Sequence, residues 1–555
     1  MKNSLTSSLD LAPDYYLTNF NFLVDWVMQQ HQDMLNNDEK TFIAHFQKLN
    51  HQSQCLFVRL SSRKGPLFRA DKLQYSEINS IALAANELIA VGLLHGDTLL
   101  HVSELATLLT KVELIALFNN EIKSQKSERK EFLVELLEEC YPEPKLWLDW
   151  TQKQFGEIYR LDNQHIVNTL LLIFFGNSYQ NLTEFVLQDL GLFRYENYSI
   201  DKQHRIFKSR DELEQYQQLV ALKDQLEQAS TIEGLIELTR LLPHSGLTQA
   251  LERRRGRLCN QLAYQLERLN AHSLALELYT QTHLPPARER RIRLLEKSGD
   301  HATAWALLNE LIKQPYNEEE LQIAERIAPR LAKKLGQSIQ KKPKPITLKQ
   351  NLQLLRLKDE SGMHLNVEEI AQQYFDTPET PCFYVENLLI SGLFGLWLWP
   401  EMFRGIDGAF ANPFQATPLD MYQENFISNR PDIQLLWECL DEGLHKEHIL
   451  TVWKEKNGTT NHFVHWEFLE KELIEIALEC IPAEHLKMIF ERLLFDIKNN
   501  RSGLPDLIQF YPETKNYRMI EIKGPGDRIQ DNQQRWLDYF AANNIPAEVF
   551  FVSWQ

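Results

Sequence analysis

Apolar positions recur at helical spacing over most of the chain, which predicts a mainly α protein. From about 145 to 335 the pattern is almost continuous, with short breaks. Leu258–Tyr279 followed by Arg288–Leu308 reads as paired antiparallel helices. Ala263, Leu274, Ala275 and Tyr279, then Ala302, Ala304 and Ala306, supply small-and-aromatic packing. Such pairs, loosely matching a period of roughly 34 residues, suit a degenerate TPR-like helical repeat array. Nearer the N-terminus, Cys55-Leu-Phe-Val-Arg-Leu60 reads as a short strand and Ser61-Ser-Arg-Lys-Gly-Pro66 as a basic turn. Tyr75–Ile89 is helical in period, so the first hundred residues suggest a winged-helix-like module. Residues 102–140 hold two helical patterns around a polar stretch from Asn119 to Arg129, with Ser103 and Ser127 as expected N-caps. Lys341-Lys-Pro-Lys-Pro-Ile-Thr347 reads as a linker, because proline blocks helix and lysine favours solvent.

The last stretch changes period. Leu507–Tyr511, Tyr517–Lys523 and Ala547–Ser553 read as strands, Pro512–Asn516 as a turn and Arg528–Asn543 as a helix after the break Gly524-Pro-Gly-Asp527. This order predicts a mixed α/β domain. Alternation along the second strand puts Met519, Glu521 and Lys523 on one face and Ile520 and Ile522 on the other. Glu521 and Lys523 then stand side by side, looking past a sheet edge, with Asp506 a few ångströms away at the start of the partner strand. Two carboxylates that close repel unless a cation lies between them. Mg²⁺ or Mn²⁺ suits such oxygen ligands, and Lys523 could orient water or stabilise charge on a phosphate oxygen. That chemistry is phosphodiester hydrolysis. The same residues also allow a plain Glu521–Lys523 salt bridge with Asp506 as a turn residue, and the spacing leaves both readings open.

Composition narrows the class. At 555 residues the chain calls for two to four domains. No segment approaches the ~20 apolar residues of a membrane span, and Thr169–Phe175 reads as a buried helix segment. The N-terminus has no apolar signal region, so a cytoplasmic protein is expected, or a nuclear one in a eukaryote. The six cysteines are scattered without a C-x-x-C pair, which suits reduced thiols. His445/His448 and His462/His465 lack completing ligands and read as surface or interface histidines. The net charge of −17 counts against a generally basic nucleic-acid surface, yet leaves room for local patches. Candidates are Arg253-Arg-Arg-Gly-Arg257, Arg288-Glu-Arg-Arg-Ile-Arg293 and the run from Lys333 to Lys349.

Pro505-Asp506 followed by Glu521-Ile-Lys523 resembles the PD-(D/E)xK nuclease signature. With Gly503-Leu-Pro-Asp-Leu507, Gly524-Pro-Gly-Asp-Arg528 and Gln533-Gln-Arg-Trp536 it resembles the VRR-NUC domain in particular. Leu56-Phe-Val-Arg-Leu60, Arg255-Gly-Arg257, Leu393–Trp399, Pro418-Leu-Asp420 and Phe426–Pro431 extend the likeness to the Fanconi-associated nuclease family, over most of the chain. The resemblance implies a multidomain, mostly α chain. Its parts would be an N-terminal winged-helix-like region (1–100), a SAP-like DNA-binding region (101–145), a TPR-like helical middle (146–370) and a restriction-endonuclease-like α/β VRR-NUC domain (371–555). It implies a metal-dependent DNA phosphodiesterase acting as 5′-flap endonuclease and 5′-to-3′ exonuclease in interstrand-crosslink repair, on branched or 5′-phosphorylated DNA.

By that resemblance Glu386, on a helix, and the main-chain carbonyl of Ile522 join Asp506 and Glu521 around Mg²⁺ or Mn²⁺, with Lys523 catalytic and Gln533 supporting. Asn387 stands where the family has glycine, which puts the local geometry at Glu386 in question. Arg257 and Lys498, with Arg291, are the implied 5′-phosphate contacts, while Asn532 replaces a basic residue of the eukaryotic pocket. The zinc-finger spacing of eukaryotic members is absent, so this looks like the shorter bacterial type. No protein partner is implied. Two other readings stay open: a helical-repeat DNA-binding scaffold with an inactive nuclease fold, and a nuclease for junctions or RNA.

Overall fold

The computed structural model describes residues 12–180, 193–244, 246–337, 347–358 and 362–555. The expected linker at Lys341–Pro345 lies outside the described residues. The chain forms two compact units, Met1–Phe193 and Arg194–Gln555. Among the described residues no helix is long and apolar enough to cross a membrane.

In the first unit, helices Tyr15–His31, Asn37–Lys48, His51–Ser61 and Ile81–Ala90 gather around Phe20, Phe46 and Phe57. Cys55–Leu60 is helical, not the expected strand. A short, mostly apolar run fixes no period of its own, and here the Asn50 side chain caps the helix by accepting from Ser53 N at 3.0 Å. Strands β1 (Leu67–Arg69), β2 (His95–Gly96) and β5 (Ile158–Arg160) form a small antiparallel sheet in the order β1-β5-β2. Separately, β3 (Leu99–Leu100) pairs with β4 (Lys145–Leu146).

Residues 102–140 hold three helices rather than two: Val102–Leu108, Lys111–Leu117 and Lys130–Cys140. Ser103 and Ser127 are not their caps. Glu104 reaches back to His101 N, Thr110 and Glu113 bond each other's backbone, and Arg129 holds the third cap position. Thr169–Phe175 lies in the helix Gln164–Phe175 and is mostly buried, as its apolar run requires.

In the second unit, helices Gln249–Arg268 and His272–Tyr279, then Ala287–Ser298 and His301–Lys313, stack as hairpins before Glu318–Lys334. Gly256 belongs to this packing. A Cβ there would meet Thr282 Oγ1 at 2.5 Å and Leu284 Cδ1 at 2.9 Å. Beyond the hairpins, β6 (Leu348–Leu354), β7 (Cys382–Tyr384), β8 (Leu507–Tyr511), β9 (Asn516–Lys523) and β10 (Ala547–Trp554) form one sheet in the order β6-β10-β9-β8-β7. β7, β8 and β9 are antiparallel, while β9, β10 and β6 run parallel. Two of the five strands therefore come from far upstream of the hairpin, and β6 falls within the stretch allotted to the helical middle.

This sheet corrects one expectation: β9 lies in its centre, so Glu521 does not look past an edge. Alternation is kept. Ile520 and Ile522 pack with Leu507, Phe550 and Ile370, whereas Met519 faces the aromatic core around Trp397 and Phe394. That core is built on the helix Leu389–Met402, nearly every residue of which is buried.

Arg430, with no exposure, clamps the core's rim. It forms a fork to Asp420 at 2.7 and 2.9 Å and donates to the carbonyls of Glu401 and Phe426. The Pro418-Leu-Asp420 and Phe426–Pro431 stretches are thus scaffold. Asp420→Ala is expected to strand this guanidinium and destabilise the unit by about 3–5 kcal/mol in urea unfolding, with Asp420→Leu/Arg430→Met recovering much of the loss.

Candidate active site

β8 begins at Leu507, two residues short of the position that would pair with Ile522, and Asp506 completes the ladder with its side chain. Asp506 Oδ2 accepts the Ile522 N–H at 2.7 Å, and the Asp506 carbonyl accepts from Val385 N at 2.8 Å. In an extended residue the N–H and C=O point to the same side. The Ile522 carbonyl therefore faces the same gap as Asp506.

Glu521 has no exposure, and Lys523 Nζ lies 2.6 Å from its Oε1. Lys523 Nζ is the one contact to Oε1, and Oε2 has no hydrogen-bond donor among the described residues. Burial pushes the Glu521 carboxyl well above the usual carboxylate range; the Asp506 charge adds to this and Lys523 opposes it. Asp506 is raised too, first by burial, against the Ile522 N–H and Lys523. A buried carboxylate with one oxygen left without a donor, beside a second carboxylate and a free-facing carbonyl, is the chemistry that a hard divalent cation satisfies. These residues fit one.

Glu386 is close but not aimed at that point. It sits in the turn after β7, before the helix Leu389–Met402, rather than on the helix as expected. The Tyr384 hydroxyl donates to Glu386 Oε2 at 2.5 Å. Its charge nonetheless raises both Asp506 and Glu521. Among the described residues no three His, Cys, Asp or Glu side chains are grouped as a ready metal cage. Asn387 resolves the doubt about the missing glycine. It adopts φ +54, a left-handed conformation asparagine tolerates, and its Oδ1 accepts from Leu504 N at 3.2 Å. Tyr384 carried no sequence signal beyond its place two residues before Glu386.

The basic clusters sort themselves by partner. Arg253 pairs with Glu424 at 3.3 Å, Arg254 stacks on Tyr216, and buried Arg255 bonds Pro243 O and Gln281. Arg257 alone of the four is exposed, without hydrogen bond or ion pair among the described residues. In the second cluster Arg288, Arg290 and Arg293 pair with Glu320, Glu267 and Glu289. Arg291 has no such pair, and its Nε is buried without a partner.

Lys498 is exposed on the short helix Ile497–Asn500, next to the cap residue Asp496, whose Oδ2 accepts from Glu318 N at 3.1 Å. Gln533 accepts from Gln530 N at 2.9 Å and caps the helix Asp531–Ala542, a structural support. Asn532 packs against Gly503, where an added Cβ would meet its carbonyl carbon at 2.8 Å. Of the paired histidines, His445 is buried with both ring nitrogens unbonded, contrary to the surface expected, because its helix turns that face inward.

Comparison with known proteins bears on all of this. The VRR-NUC domain family matches residues 440–554, the FAN1 HTH domain 14–95 and the Fanconi anemia-associated nuclease SAP domain 99–150. A Fanconi-associated nuclease 1 homolog of Pseudomonas aeruginosa is 38% identical over 546 residues, covering 98% of this chain and 96% of that one. The chain belongs to the Fanconi-associated nuclease family. Family members in Oryza sativa and Homo sapiens are 26% and 23% identical, and the chain spans 62% of the length of each. A crystal structure of paFAN1 bound to 2nt 5′ flap DNA with gap is similar at a TM-score of 0.83 and 38% identity, covering 98% of this chain and 99% of that one. A second, bound to 1nt 5′ flap DNA with gap, gives 0.82 and 37%, covering 98% of this chain and 100% of that one. Membership in the Fanconi-associated nuclease family makes the chain a structure-specific DNA nuclease that depends on divalent metal.

Proposed function

We propose that this family member is a phosphodiesterase that cuts 5′-flap DNA and trims 5′ ends with Mg²⁺ or Mn²⁺, in the repair of interstrand crosslinks. The observation that carries the reading is the Glu521 carboxylate: fully buried beside Asp506, with Oε1 met by Lys523 and Oε2 without a hydrogen-bond donor. Asp506, Glu521 and the Ile522 carbonyl would hold the ion, with Glu386 as a further ligand. When bound, the cation polarises the scissile phosphate and makes water more acidic. Asp506 keeps the gap open at the end of β8, because its own bond to Ile522 N–H fixes where the ladder stops. Lys523 cannot be a ligand, so its ammonium is free to stabilise charge developing on the phosphate oxygens. An inactive scaffold would have no reason to keep two carboxylates buried against each other.

Tyr384 holds Glu386 Oε2, and the other lone pairs of the carboxylate remain for a metal. Glu386→Gln is expected to slow cleavage at low metal concentration, with recovery as Mn²⁺ is titrated in. A rate equal to wild type at every Mn²⁺ concentration would assign Glu386 to the turn alone.

The two paFAN1 structures are bound to 5′ flap DNA, and a terminal phosphate carries more charge than an internal one. Arg257 and Lys498, with Arg291 beside them in role, supply unpaired cations for it. The test compares 5′-phosphorylated with 5′-hydroxyl flaps. Arg257→Ala is expected to reduce cleavage of the phosphorylated flap by about tenfold or more, and the hydroxyl flap far less. Equal losses on both would leave Arg257 as a backbone contact and remove the end-recognition reading, with the nuclease assignment intact.

A further inference from the structure

Next to the carboxylates lies a pocket of about 260 Å³ whose lining is of the opposite character. Its polar walls are Asn387, Ser391, His462, His465, Arg501 and Ser502, with no carboxylate among the lining residues. It opens at the N-terminus of the 14-residue helix Leu389–Met402, which has no side-chain cap and no acidic residue in its first turn. Helix N-termini attract anions through their free N–H groups and dipole. A second observation is independent of the helix: Ser391, 4% exposed and lining the pocket, has a buried hydroxyl with no hydrogen-bond partner.

Arg501 brings the charge. Its Nη1 donates to His462 Nε2 and, at 3.4 Å, to the Tyr422 hydroxyl, while Nε and Nη2 make no hydrogen bond among the described residues. Because His462 Nε2 accepts from an arginine, the neutral ring carries its proton on Nδ1. Burial, then Arg501 and His465, hold this imidazole below its ordinary range and keep it neutral. The pocket therefore holds a guanidinium, a helix N-terminus and the unpartnered Ser391 hydroxyl, with no internal counter-ion.

Its position is fixed by the chain. Asn387 directly follows Glu386, and Ser502 is four residues from Asp506, at most about 14 Å along extended backbone. Leu504 N bonds Asn387 and ties the two segments together. We propose that this pocket binds a backbone phosphate of the DNA strand being cut, beside the scissile one, so that Arg501 and Ser391 set which phosphodiester lies over the carboxylates. Arg501 and Ser391 are positioning residues here, and the inference rests on the DNA-nuclease reading.

The test scans a flap duplex in which one phosphate at a time near the cut is replaced by a neutral methylphosphonate. Affinity is read by fluorescence anisotropy without divalent metal, so the result does not depend on cleavage. The full-length wild-type chain is expected to lose about tenfold or more in affinity at one position beside the cut. Arg501→Ala should show that loss on unmodified DNA and no further loss at that position, and Arg501→Lys should recover part of it. Ser391→Ala, which removes an unpartnered hydroxyl and so leaves folding intact, should show a smaller loss at the same position. If the methylphosphonate penalties are the same in Arg501→Ala as in wild type at every position, the pocket holds no phosphate. Failure of wild type to cut flaps in a parallel metal-containing assay would instead strike the flap-nuclease reading.

Discussion

Asp506→Ala and Glu521→Ala are each expected to lower the cleavage rate by about three orders of magnitude or more, with DNA affinity nearly unchanged. A metal's electrophilic effect is several kcal/mol, and each 1.36 kcal/mol is tenfold in rate. Asp506→Ala also leaves the Ile522 N–H without its acceptor, so that variant should be somewhat less stable as well. Glu521→Gln separates the two effects. Burial and the Asp506 charge push the folded-state pKa of Glu521 up, so the folded protein binds more protons than the unfolded chain.

The stability contributed by this site is therefore complete at low pH. It is lost as pH rises from the ordinary carboxylate range to neutrality. Metal-free Glu521→Gln should accordingly melt higher than metal-free wild type at neutral pH and lose the stabilisation that Mn²⁺ gives wild type. Thermal melts with and without Mn²⁺ at pH 5 and pH 7.5 check this. Equal melting temperatures under all four conditions would mean that Glu521 carries no uncompensated charge.

Lys523→Ala should give the second largest loss, about 10²–10³-fold in rate, the size found when one donor to developing oxyanion charge is removed. Metal affinity should hold or rise, because an ammonium 2.6 Å from Glu521 competes with a cation for the same oxygen. Cleavage rates at saturating Mn²⁺, together with the Mn²⁺ dissociation constant, separate this from a structural role. Loss of Mn²⁺ binding in Lys523→Ala would put Lys523 among the groups that shape the metal site. Lys523→Arg should restore little, since a planar fork does not replace a compact ammonium on a buried stem.

The local geometry of β9 was legible because strand alternation is a property of the backbone. Ile520 and Ile522 had to face one core, and Glu521 and Lys523 had to share the other face with Met519. The turn at Gly524–Asp527 and the final helix and strand were legible for the same reason: each follows from residues close in sequence. The strand expected at Cys55–Leu60 was not, because a short, mostly apolar run packs equally well in either conformation and only the Asn50 cap and the neighbouring helices decide.

The charge clusters show the limit most clearly. Arg253 to Arg257 look alike in sequence, yet tertiary partners occupy three of the four arginines and leave Arg257 exposed. Likewise nothing local in Glu386 points toward Asp506; only the antiparallel pairing of β7 with β8 brings them together. Arg501, His462 and Ser391 come from three separate segments and form a pocket only once the helix Leu389–Met402 docks. The sequence by itself determined the alternation and turn that put Glu521 and Lys523 on one face, because those preferences act over a few residues. The tertiary structure alone decided which charges stay unpaired and which distant groups share a cavity, because pairing and burial depend on partners that the local chain does not contain.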